Sequence, residues 1–197
     1  MIKRIAEASP RPRARLTGAV YLLYFLTAVF ATLLVEPRLV VYSDAANVFS
    51  IACYIAVTLL FYYMFKPVNR SLSLFAAVLG LMGCAITALD LFDRNPSQMS
   101  PLLFFGPFCI LIGYLIFRST FLPRTLGVLM SFAGLGWLIF LSPLLANHLS
   151  SYLKALGILA EGSLMLWLLA FGVNVQRWNQ QASAARGDFD SSTPMHS

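Results

Sequence analysis

Glu161 interrupts an otherwise apolar stretch, Tyr152–Val175, in which Lys154 is the other charged residue. If that stretch is a helix rising 1.5 Å per residue, Glu161 lies roughly 14 Å from Tyr152, near the middle of an apolar crossing. A carboxylate at such a depth is costly and normally faces the interior of a helix bundle with a partner. It can bind a proton or a cation, anchor a polar solute, or stand as a neutral acid linking two helices by hydrogen bonds. Gly157 and Gly162 on either side favour an interior face. Tyr54, Thr58, Thr87, Tyr114 and Ser131 are the candidate partners.

A second group of polar residues collects between the apolar runs. Asp90 and Asp93 are three apart and would share one helix face. With His148 they form a candidate cation site of the oxygen-rich kind. The plainer reading is wet interfacial side chains, with Asp44 capping the second apolar run. Arg118 and Arg124 bracket a short connector, as charge anchors or as contacts for a phosphate headgroup. Cys53, Cys84 and Cys109 all lie within apolar runs, as small packing residues commonly do. No Cys-x-x-Cys spacing supports a shared metal.

The elements that must position these groups are six apolar runs. Hydrophobic residues make up 59% of the chain and charged ones 11%, with mean hydropathy +0.76. A soluble domain of this size cannot hide so much apolar surface, whereas lipid can be its solvent. A hydrocarbon core of ~30 Å needs roughly 20 helical residues to span it. Backbone polar groups find no partners in lipid, so each crossing must be helical. The expected architecture is all-α, an integral membrane six-helix transmembrane bundle. Its spans fall at about 16–35, 45–65, 71–92, 101–117, 125–146 and 152–175, within one domain over residues 16–177. Residues 1–15 are expected to form a basic arm in which Pro10 and Pro12 break any helix. Residues 178–197 are expected to be a polar, disordered tail.

The net charge of +6 is a matter of position. Only Arg38, Arg94 and Lys154, of 14 Lys and Arg, fall on one side of a six-span arrangement. The other eleven share the side of the N-terminus. By the positive-inside rule both N- and C-termini are cytoplasmic. The basic charge therefore reports topology rather than nucleic acid. The first apolar run is too long for the core of a cleavable signal and lacks a small-residue cleavage pattern before Glu36-Pro37.

Small residues four apart at Ala76, Gly80, Cys84 and Ala88 make a close-packing stripe on the third span. Gly127, Ser131 and Gly134 do the same on the fifth, so spans three, five and six are expected at the packed centre. Gly106-Pro107 should kink the fourth helix, since proline there removes a backbone donor. There is no Gly-x-Ser-x-Gly, His-Glu-x-x-His or phosphate loop, and nothing calls for a cofactor, a resident metal or an assigned catalytic residue.

The segment Gly113–Gly127 (GYLIFRSTFLPRTLG), running on to Ala133-Gly134-Leu135-Gly136-Trp137, resembles the hallmark of a bacterial membrane-protein family, domain of unknown function 4386. Arg15-Leu16-Thr17-Gly18, Phe65-Lys66-Pro67-Val68-Asn69, and Glu161 followed by Leu166-Trp167-Leu168-Leu169 fit the same pattern. The resemblance implies a multi-pass protein of the bacterial inner membrane and supplies no catalytic residues. Three roles stay open. One is binding or passage of a small solute or ion, with Glu161 as the buried determinant. The second is a non-catalytic subunit or sensor docking a partner membrane protein or itself. The third is a lipid-handling enzyme.

Overall fold

A computed structural model describes residues 10–33, 40–92 and 99–191. Among them are seven helices and no strand: α1 Pro10–Leu33, α2 Val40–Phe65, α3 Arg70–Phe92, α4 Leu102–Arg118, α5 Arg124–Ile139, α6 Pro143–Ala170 and α7 Val175–Ser191. Each of the first five packs on the next, and α6 returns to pack on α1, so the first six close a ring. The ring is filled by Tyr21, Val57, Phe61, Phe65, Phe108, Ile112, Leu115, Ile116, Met130, Leu164 and Leu168, all fully buried. Its outside is equally apolar: Leu26, Phe30, Phe75, Phe132, Ile158 and Leu166 are each more than half exposed. An outer surface of that kind suits lipid and not water.

Four helical segments are long and apolar enough to cross a membrane: Pro10–Ala31, Tyr42–Phe65, Arg70–Phe92 and His148–Ala170. Helices α4 and α5 are apolar but have only 17 and 16 residues. At 1.5 Å per residue they reach roughly 24–26 Å, short of a full hydrocarbon core.

These two short helices form the tightest seam in the bundle. A Cβ added at Gly134 would lie 2.6 Å from the Gly106 carbonyl oxygen, and one at Gly127 equally close to that of Gly113. Both glycine pairs are seven residues apart on their helices, the repeat that keeps one face of a helix against its neighbour. The packed centre is therefore not built as the stripe on the third span suggests. Ala76, Gly80 and Cys84 are buried, but Gly80 faces the Thr58 methyl and the Phe108 ring, so side chains fill that approach. On α1, Gly18 admits the backbone of α6 at Leu169.

Several boundaries correct the reading from hydropathy. The fifth helix does not run to Ala146: the chain turns at Phe140–Ser142 and α6 begins at Pro143. Proline at the first helical position loses no hydrogen bond, so it starts a helix as readily as it stops one. Pro10 and Pro12 likewise sit in the first turn of α1 instead of breaking it. Asp44 lies inside α2, which begins at Val40, so it is not a cap. Pro107 is accommodated within α4.

Residues 175–191, for the most part expected as tail, form α7. The Trp178 indole donates to the Met64 carbonyl (3.1 Å), and the Arg177 guanidinium to the Thr120 carbonyl (3.2 Å). The Thr120 backbone N–H and hydroxyl both donate to the Gln181 amide oxygen, each at 3.3 Å. Trp178 and Ala182, four apart, turn inward, so a sparse apolar face secures a polar helix.

Between α6 and α7 the chain passes through Gly172, whose φ is +69°. Its N–H and that of Phe171 both donate to the Trp167 carbonyl, at 3.1 and 2.9 Å, closing α6. Left-handed backbone costs an L-residue about 1–2 kcal/mol. Gly172→Ala is therefore expected to lose about that much stability, read by detergent denaturation of the purified protein. An unchanged midpoint would mean that this turn does not hold its left-handed form.

Candidate functional site

Glu161 stands on α6 where that helix meets both of its ring neighbours. It is 8% exposed. From α1 the Tyr21 hydroxyl donates to Oε2 at 2.7 Å, and from α5 the Trp137 indole N–H donates to Oε1 at 3.3 Å. One carboxylate thus ties three helices together at the place where the ring closes. The local sequence makes this possible. Gly157 is one turn before Glu161 on the same face, and a Cβ there would meet the Trp137 ring at 3.1 Å or closer. The missing side chain lets the indole lie against α6 with its N–H within reach of the carboxylate. Gly162 has no such part: nothing lies within 4 Å of its added Cβ.

The expected partners are all replaced. Thr58, Thr87 and Ser131 hydroxyls donate to carbonyls one turn back on their own helices, at 2.9, 2.9 and 3.0 Å. Short hydroxyl side chains in helices commonly satisfy themselves this way. The Tyr114 hydroxyl is exposed and accepts from Arg118 at 3.3 Å. Tyr54 belongs to the neighbouring aromatic cluster. Tyr21 and Trp137 had one usable signal: a buried tyrosine or tryptophan within an apolar span must find a partner for its polar end.

Tyr21 is itself enclosed by rings. Tyr24, Phe25, Tyr54 and Phe61 lie with centroids 5.9, 5.5, 6.2 and 5.9 Å away. Tyr24 and Tyr54 pack at 4.8 Å, and Tyr54 meets the edge of Phe105 at 5.2 Å. On their far side these rings face a cavity of about 420 Å³ between α1, α2, α3 and α4. It lies toward the end of the bundle away from the Lys66–Asn69 and Ser119–Pro123 turns. Its lining includes Tyr24, Asn47, Ser50, Tyr54, Thr87 and Asp90. Glu161 is not on that wall; Tyr21 and its ring neighbours stand between.

The remaining candidates are dispersed. Asp90 lines the cavity, His148 is exposed on α6, and Asp93 lies outside the described residues. Among the described residues no group of three or more His, Cys, Asp or Glu is arranged to hold a metal ion. The three cysteines are buried and free. Arg118 and Arg124 are both exposed, flanking the Ser119–Pro123 turn. Their guanidinium carbons sit 6.0 Å from the Tyr114 centroid and 5.6 Å from that of Phe117.

The seam, the α5 indole and all of α6 fall within one stretch of sequence that is similar to a known family. Residues 93–172 match Domain of unknown function (DUF4386). The resemblance to this family seen in Gly113–Gly127 holds, and the match takes in the α4–α5 glycines, Trp137 and Glu161. Tyr21 and the α1–α2 wall of the cavity precede the matched residues. An uncharacterised protein of Archaeoglobus fulgidus is 28% identical over 127 residues, which is 60% of this chain and 76% of that protein. That relative is archaeal, so similarity of this kind is not confined to bacteria. No solved structure matches the chain.

Proposed function

We propose that this is a six-crossing protein of the bacterial cytoplasmic membrane, with both termini inside. In this reading it binds a small cationic solute or ion in the cavity bounded by Tyr24, Tyr54 and Asp90, with Glu161 as the buried charge behind the aromatic wall. The six-crossing part needs α4 and α5 to cross as a paired hairpin. Their short length is tolerable where Arg118 and Arg124 reach to the interface and the bilayer thins locally. The observation that carries the binding part is the cavity itself. Tyrosine faces attract cations, Asp90 adds a carboxylate, and Asn47, Ser50 and Thr87 offer oxygens.

Docking of a partner through small-residue faces is less well supported, because Gly18, Gly106, Gly113, Gly127 and Gly134 all contact helices of this same bundle.

Titration of the purified protein with sodium or tetramethylammonium, read by tyrosine and tryptophan fluorescence, tests the binding reading. Saturable binding is expected, weakened about tenfold in Asp90→Asn, as suits loss of one charge-assisted contact. Absence of saturation with both cations would overturn it, as would equal affinity of the variant.

A further inference from the structure

A different pair of cavities lies at the opposite end of the molecule, and nothing in the solute reading uses them. The first, about 450 Å³, is bounded by Arg11 of α1, the Phe171–Asn174 turn and the start of α7. The second, about 510 Å³, is an apolar groove along α6 from Ser163 to Phe171, facing Leu126 of α5. Trp167 and Phe171 belong to both, so the two are continuous.

We propose that this continuous cleft seats one anionic phospholipid. Its phosphate meets Arg11, and one acyl chain lies in the groove beside Leu166. Charge complementarity is the first argument. Arg11 is exposed, and neither cavity has an acidic residue in its lining. Arg15, one turn on, holds the Ala170 carbonyl at 3.2 Å and keeps a second positive charge beside the turn. Arginine matches a phosphate by paired N–H donors and gains further from the negative surface of the leaflet.

Shape is the second argument. From Ser163 to Phe171 the groove runs roughly 12 Å along the helix at 1.5 Å per residue, the direction an acyl chain takes from a headgroup at the end of α6. The third is the tryptophan at the junction, the residue type that sits where headgroup meets chain. The two exposed arginines at the α4–α5 turn are engaged otherwise: each guanidinium lies over an aromatic ring of its own helix or hairpin.

The test measures thermal stability and lipid retention, by native mass spectrometry, for delipidated protein in phosphate-free detergent. Phosphatidylglycerol, phosphatidylcholine and inorganic phosphate are added separately. Phosphatidylglycerol is expected to stabilise the protein and stay bound. R11Q should weaken it roughly fivefold, the effect of one cation near a charged headgroup. S163F, which fills the groove without changing charge, should weaken it as well. Equal effects of phosphatidylcholine would overturn the role of charge. A full effect from inorganic phosphate alone would overturn the lipid as occupant, and unchanged retention in S163F would overturn the groove.

Discussion

Gly113→Ala is expected to destabilise the bundle by about 1–3 kcal/mol, the usual cost of forcing a methyl group into a packed interior. The added Cβ would lie 2.6 Å from the Gly127 carbonyl oxygen and 2.8 Å from the Ser131 backbone nitrogen. These are backbone atoms, which no rotamer change can move aside, so α4 and α5 must separate. In lipid the contact between helices rests largely on close packing, since the tails are as apolar as the side chains they replace. Separation therefore loses the interaction that holds this hairpin together. Gly162→Ala is the control: nothing lies within 4 Å of its Cβ, and alanine is the better helix former by up to about 1 kcal/mol. Detergent-denaturation midpoints should fall for the first variant and hold or rise for the second. A Gly113→Ala protein as stable as its parent would mean that α4 and α5 do not meet through their glycines.

What the sequence made legible, and what it hid, follows from how far apart the interacting residues are. Apolar run length reports local structure well. Helices α2, α3 and α4 end within a residue of Lys66, Asp93 and Arg118, where charge follows an apolar residue. Hydropathy is blind to a turn made of residues as apolar as its helices, so Phe140–Ser142 passes unnoticed inside an uncharged run. Composition misses α7 for the converse reason. The helix is polar almost throughout and owes its place to an indole hydrogen bond to a carbonyl 114 residues earlier. The small residues Gly127 and Gly134 mark the fifth span in the sequence, but their match to Gly106 and Gly113, spaced alike on the fourth, shows only once the two helices are paired.

Glu161 stands out on its own, because a lone carboxylate in an apolar run is anomalous wherever it occurs. Its partners do not, since Tyr21 and Trp137 are 140 and 24 residues away, and the need of each polar end for a partner does not say which partner it finds. The cavity is hidden more completely still. Tyr24, Asn47, Thr87 and Asp90 come from three helices, and only packing brings them to one wall.

Replacing Glu161 separates the helix links it makes from the binding role proposed for it. In Glu161→Ala the Tyr21 hydroxyl and the Trp137 N–H lose their acceptor within the bundle, and the truncated side chain leaves a void. Truncating a large buried side chain to alanine commonly costs about 2–5 kcal/mol. Hydrogen bonds between membrane helices add modestly, averaging about 0.6 kcal/mol each in double-mutant cycles. Glu161→Gln behaves differently. Its amide oxygen can accept from Trp137 while its NH2 donates to the Tyr21 oxygen, because a hydroxyl serves as either donor or acceptor. Both helix contacts survive, and stability should stay within about 1 kcal/mol of the parent. What the amide cannot carry is negative charge behind the Tyr21–Tyr54 wall. With tetramethylammonium as probe, affinity is expected to fall about tenfold in Glu161→Gln with the denaturation midpoint nearly unchanged, the loss of roughly 1.4 kcal/mol of attraction. Unchanged affinity together with unchanged stability would reduce Glu161 to a link that holds α1, α5 and α6 together.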